Sequence, residues 1–172
     1  MKMSAGMLTK RYNAAWSRKE NWRNLYEQCY QYALPQRNLY DGYWEDGQSG
    51  RVKNLQVFDS TAVHGVQRFA NRLQSGLFPP DKSWMELFPG TDIPPESQQE
   101  VREGLQVISR KFFSILRQTN FDLAMGEFLL DLSVGTGIML VQPGDDLQPI
   151  RFQSIPQYLV ALEEGPQGTV EN

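Results

Sequence analysis

The residues of this chain with chemistry to offer are few and scattered. It holds one histidine, His64, and one cysteine, Cys29. Neither has an acid beside it in sequence that would complete a nucleophilic dyad. Two carboxylates, Glu127 and Asp131, stand one helical turn apart, a spacing that can hold a metal or share acid–base work. No third ligand and no basic partner accompany them, so they read as a solvated or subunit-facing stripe. Gly135-Thr136-Gly137 follows a helix and launches a strand, the reverse of the order a dinucleotide loop requires. Helix capping and close backbone packing account for it better. There is no phosphate loop, no His-Glu-x-x-His zinc motif and no Gly-x-Ser-x-Gly elbow. The residues point to no catalytic, cofactor-binding or metal site, and no enzymatic activity is expected. The enzymatic alternative is a small helical hydrolase using His64 or the Glu127/Asp131 pair.

A second kind of chemistry lies in segment 37–53. Arg37, Arg51 and Lys53 interleave there with Tyr40, Tyr43 and Trp44, a mixture that can stack on and neutralise a nucleic acid strand. Asp41, Glu45 and Asp46 break up the basic character. An inter-subunit arm is therefore the preferred reading, with Tyr40, Tyr43 and Trp44 as anchors in a partner's groove. A nucleic-acid-binding module using 37–53 is the alternative, and no particular nucleic-acid contact is singled out.

These residues are positioned by a mainly helical chain. Apolar residues at Tyr12, Ala15/Trp16, Trp22, Leu25/Tyr26, Cys29 and Tyr32/Ala33 predict one helix over 8–33, about 39 Å long, interrupted only by the polar Lys19. It ends before Pro35. Trp16 and Trp22 on its stripe are candidates for core or subunit contact. A polar, aromatic loop or arm follows over 35–57. A second helix opens at Asp59 or Ser60. Its stripe is Val63, Val66, Ala70, Leu73 and Leu77, widened by Phe69, with His64, Arg68, Asn71 and Ser75 on the opposite face. Ser83 to Phe88 alternates as a short strand. Ser97 to Glu100 reads as a capping box opening a third helix. A fourth, largely buried helix starts at Asn120 to Asp122. Strands are expected at Ile138–Gln142, Ile150–Gln153 and Tyr158–Glu163, with another beginning at Thr169-Val170. Such a meander stops with an unpaired edge, which suggests a truncated domain.

The expected fold class is therefore α+β: about four helices with a small antiparallel β-meander at the C-terminal end. Three stretches organise it: the N-terminal helix over 1–34, the loop or arm over 35–57, and a helical body with the meander over 58–172. A length of 172 residues with 40% apolar composition fits one domain with a real core. Mean hydropathy is −0.50, and no apolar run is long enough to span a membrane. The N-terminus lacks the apolar stretch of a secretory signal, and one cysteine excludes a disulfide framework. A soluble intracellular protein is expected. Residues 1–54 carry nine Lys/Arg against five Asp/Glu, and the remainder eight against fifteen. A basic N-terminal third suits nucleic acid or an acidic partner, or simply solvates one helix face. An overall pI near 5.2 excludes a general DNA-coating protein.

The ordered string of these pieces resembles the head-to-tail connecting, or portal, proteins of short-tailed double-stranded DNA bacteriophages. The string begins with the Trp16-to-Cys29 helix running into Tyr32-Ala33-Leu34-Pro35. Next come Phe58-Asp59-Ser60-Thr61-Ala62, then Phe69 to Pro80, and Ser83-Trp84-Met85-Glu86-Leu87. Asn120-Phe121, Phe128 to Leu132 and Gly135-Thr136-Gly137 complete it. The resemblance spans about Tyr12 to Asn172. It implies a structural virion protein, not an enzyme and without cofactors. Such a protein forms a ring, a dodecamer in the full-length protein, through which DNA is packaged and ejected. The implied partners are further copies of the chain, terminase, capsid, scaffold and tail-adaptor proteins, and the double-stranded DNA in the channel, with no membrane. ATP hydrolysis belongs to the terminase. The implied location is the portal vertex of the virion, after assembly in the host cytoplasm. Family members are several hundred residues long, so the chain corresponds to the N-terminal, wing-like part.

Overall fold

In a computed structural model, residues 4–38, 58–164 and 170–171 are described. They form five helices: α1 (Ala5–Glu20), α2 (Arg23–Ala33), α3 (Thr61–Leu77), α4 (Gln98–Leu116) and α5 (Phe121–Val134). Four short strands follow, β1 (Met139–Pro143), β2 (Ile150–Ser154), β3 (Glu163–Glu164) and β4 (Val170–Glu171). The molecule is thus α+β and mostly helical. The chain divides into two compact units. One comprises Met1–Gln67, Leu130–Ile138 and Ile155–Asn172; the other comprises Arg68–Leu129 and Met139–Ser154.

In the first unit, the single helix expected over 8–33 is two helices, broken at Asn21 and Trp22. The Trp22 N–H donates to the Lys19 carbonyl at 2.9 Å, a three-residue step that tightens the turn, and Tyr26 N–H then restarts the helix on the Trp22 carbonyl at 3.0 Å. The break follows Lys19, the polar interruption in the apolar stripe, whose ammonium is held elsewhere (below). The core of this unit is Tyr30 and Leu34, packed by Tyr26, Val66, Leu130, Val134 and Tyr158. At the start of α3, the Asp59 carboxylate accepts from the Thr61 hydroxyl at 2.7 Å and from its N–H at 2.9 Å. Those two bonds, the hydroxyl's first, hold the Asp59 carboxyl below its usual range. His64 is exposed, as its place opposite the apolar stripe predicts.

The second unit is organised by aromatic rings. Trp84 meets Phe78 at 5.1 Å and Phe113 at 5.4 Å between centroids, both edge-on, and stacks on Phe121 at 6.0 Å. Phe121 in turn meets Phe152 of β2 at 5.1 Å. Such pairs add about 0.5–1.5 kcal/mol each beyond the area they bury. The strand expected over Ser83–Phe88 does not form: no described strand lies in register with it, and the segment serves to deliver Trp84 into this cluster. The capping box at Ser97 is also absent. Pro95–Ser97 is a 3₁₀ turn, which puts Ser97 at φ −96° and ψ −7° rather than in the extended conformation a capping side chain needs, and it makes no cap hydrogen bond. Strands β1 and β2 pair antiparallel from Met139↔Ser154 to Pro143↔Ile150. Their turn demands Gly144, because a Cβ there would lie 1.7 Å from the Gln148 carbonyl oxygen.

Instead of one meander, the described residues form two separate ladders, β1–β2 and β3–β4. The strand expected over Tyr158–Glu163 is mostly replaced by a 3₁₀ turn at Gln157–Leu159, and only Glu163–Glu164 pairs. The physical reason lies in α1. Lys19 Nζ donates to the carbonyls of Gln157 at 2.5 Å, Tyr158 at 2.9 Å and Val160 at 2.6 Å, and the last two belong to the stretch expected to pair as a strand.

Candidate functional site

Asp131 is the most completely buried charge among the described residues, with no exposed surface. It occupies the last turns of α5, in the first unit. Arg37, which ends the 3₁₀ turn after α2, reaches it with two charge-assisted hydrogen bonds. Nε donates to one carboxylate oxygen at 3.0 Å and Nη2 to the other at 2.6 Å. The Tyr30 hydroxyl donates to the same carboxylate at 3.1 Å. The expected solvated or subunit-facing stripe of Glu127 and Asp131 is therefore corrected at Asp131. Its basic partner stands 94 positions earlier, beyond the reach of any spacing argument. The chemistry of this group is structural. It fastens Arg37, and with it the chain immediately before segment 39–57, onto α5.

The second constructed feature is a cleft of about 550 Å³ on the same unit. Arg18, Lys19 and Trp22 line it from the α1–α2 corner, Ile138 from the stretch after α5, and Gln157 and Leu162 from the stretch after β2. Lys19 ties these walls together through its three carbonyl bonds and lies 4.7 Å from the Trp16 ring centroid. Burial lowers the Lys19 ammonium from 10.5 to about 8, and the Glu20 carboxylate pulls in the opposite direction. Arg11 and Glu163 form an ion pair at 2.7 Å beside it. Gly135 fits the close packing expected of it: a Cβ would come within 2.7 Å of Gln157 Oε1 and 3.2 Å of the Tyr26 ring. Gln157 is 5% exposed, and its side-chain carbonyl has no hydrogen-bond partner among the described residues.

Of the candidate contact residues, Trp16 is half-buried against Tyr12, at 5.9 Å between rings, while Trp22 is 58% exposed at the cleft. Tyr40, Tyr43 and Trp44 lie outside the described residues. Cys29 is half-buried on α2. Among the described residues, no three His, Cys, Asp or Glu side chains gather as metal ligands. The cleft and the Arg37–Asp131 pair both escaped sequence reasoning. The one advance signal was the polar interruption at Lys19, which marks the α1–α2 break.

The class this chain falls into is that of the structural proteins of bacteriophage particles. The family model described as bacteriophage head to tail connecting protein matches residues 5–172. The chain belongs to that family, and it is a phage connector component of the head–tail assembly. No curated protein matches the chain. No helix among the described residues is long and apolar enough to cross a membrane.

Proposed function

We propose that the chain is a subunit of the ring at the portal vertex, through which the genome enters and leaves and to which the tail attaches. The observation that carries this reading is the family match over 5–172. In this reading the ring is a dodecamer in the full-length protein, assembled in the host cytoplasm. Its partners are terminase, capsid, scaffold and tail-adaptor proteins, and double-stranded DNA passes along its channel. The subunit supplies no catalysis and needs no cofactor. Trp16, Trp22, Tyr40, Tyr43 and Trp44 serve as subunit contacts.

The outer surface of α1 and α2 supports an assembly role. Tyr12 is 61% exposed, Leu25 51% and Tyr32 50%, apolar area that a partner would bury. Heterologous contacts of this kind close into rings when the rotation allows. The alternative of a nucleic-acid module using 37–53 loses one of its cations, since Arg37 is engaged by Asp131. Light scattering and negative-stain imaging of the purified gene product test the proposal. Closed rings with an open centre are expected; a strict monomer at micromolar concentration overturns it.

A further inference from the structure

Resting on that ring reading, we propose that the cleft beside Trp22 is the socket for the acidic, aromatic segment 40–46 of a neighbouring copy of this chain. Three observations meet here. The first is size and lining. About 550 Å³, walled by Trp22, Ile138 and Leu162, is in the range that takes one or two aromatic side chains. Trp22 stands 58% exposed at its side, ready to pack against an incoming ring.

The second observation is an unmet hydrogen bond. Gln157 is 5% exposed, lines the cleft, and keeps a side-chain carbonyl with no donor among the described residues. A buried acceptor left in this state is unfavourable, and an indole or phenol donor reaching it from the cleft would relieve it. Segment 40–46 carries such donors on Tyr40, Tyr43 and Trp44.

The third is charge. Arg18 and Lys19 line the cleft, while its Glu163 is taken up by Arg11. Segment 40–46 offers Asp41, Glu45 and Asp46 and no basic residue. The same acids that make this segment a poor nucleic-acid binder make it a fitting ligand for this cationic mouth. Its root is secured as well. Arg37 is clamped on Asp131 and Asn38 is 5% exposed, so the chain leaves from a fixed point. In extended chain Trp44 can stand up to about 20 Å beyond Asn38. Arm and socket are different surfaces of one chain, so the contact is heterologous and propagates around a ring.

The test places benzoylphenylalanine at position 44 of the whole chain, irradiates the assembled protein, and separates the products on a denaturing gel. A product of dimer mass is expected, with position 44 joined to residues 15–26 or 157–163. Arg18→Glu and Trp22→Ala, both at exposed positions, are expected to lower its yield at least tenfold with far-ultraviolet circular dichroism unchanged. Cross-links at monomer mass mean that the segment fills its own chain's cleft, which overturns the proposal. Rings that form without any cross-link to the cleft also overturn it while leaving the ring reading intact. A protein that never assembles overturns both.

Discussion

Replacing Arg37 by Met keeps the aliphatic stem and removes the guanidinium, leaving Asp131 inside the first unit with only neutral donors. The wild-type carboxylate has no exposed surface, and the Arg37 side chain is 18% exposed. Both bonds from Arg37 are charge-assisted and reach both carboxylate oxygens, at 3.0 and 2.6 Å. Removing one partner of a buried pair in this geometry costs about 3–5 kcal/mol, because the surviving charge keeps its desolvation penalty. At about 2–4 °C per kcal/mol for a chain of this size, the melting temperature falls by about 6–20 °C. Asp131→Leu costs less, about 2–3 kcal/mol, since the Arg37 cation still reaches water. The double variant Arg37→Met/Asp131→Leu removes both charges and returns to within about 1–2 kcal/mol of wild type. Urea denaturation of the four proteins at pH 7, followed by circular dichroism, completes the cycle. An Arg37→Met variant within about 1 kcal/mol of wild type, or a double variant showing the full sum of the two single losses, would contradict a tightly coupled buried pair.

Lys19→Met strips three donors from the carbonyls of Gln157, Tyr158 and Val160 and lowers stability by about 2 kcal/mol at pH 7.5. Because the native ammonium titrates near 8 rather than 10.5, the unfolded chain holds more protons between those values. Wild-type stability therefore rises with pH there relative to the variant, by less than full linkage because solvent screens the amine. Denaturation curves of both proteins at pH 7.5 and 10 check this, and a gap that narrows with pH contradicts it. In the second unit, the Asn120 side chain donates to the Phe152 carbonyl at 2.7 Å and accepts from its N–H at 3.0 Å. Asn120→Ala should cost about 2 kcal/mol and speed hydrogen exchange at Phe152. Gly135→Ala puts a methyl 2.7 Å from Gln157 Oε1 and should destabilise by about 1–3 kcal/mol, whereas Gly76→Ala, with open space around it, should not destabilise the fold.

The elements whose cause is local were legible. Helices α3, α4 and α5 follow from apolar residues repeating every three or four positions, and the β1–β2 hairpin from its Pro-Gly-Asp-Asp turn. His64 sits on the polar face of α3 because helical phase alone decides it. Where long-range partners compete with local preference, reading along the chain fails. Trp84 lies in an alternating segment that looks like a strand, yet its ring contacts with Phe78, Phe113 and Phe121 decide its place. Tyr158 to Glu163 has strand character, yet Lys19 takes the carbonyls of Tyr158 and Val160.

The helical α+β character, the hairpin, and the motif order that resembles a phage connector are all written along the chain. Each depends on neighbours within a few turns or on the order of pieces. That Asp131 is a sealed charge and not a solvated one follows from the folded chain alone. A carboxylate's state depends on which cation folding brings to it, and Arg37 arrives from 94 positions away. The cleft has the same origin, since its walls come from α1, α2 and the stretches after α5 and β2, and no one segment carries its shape.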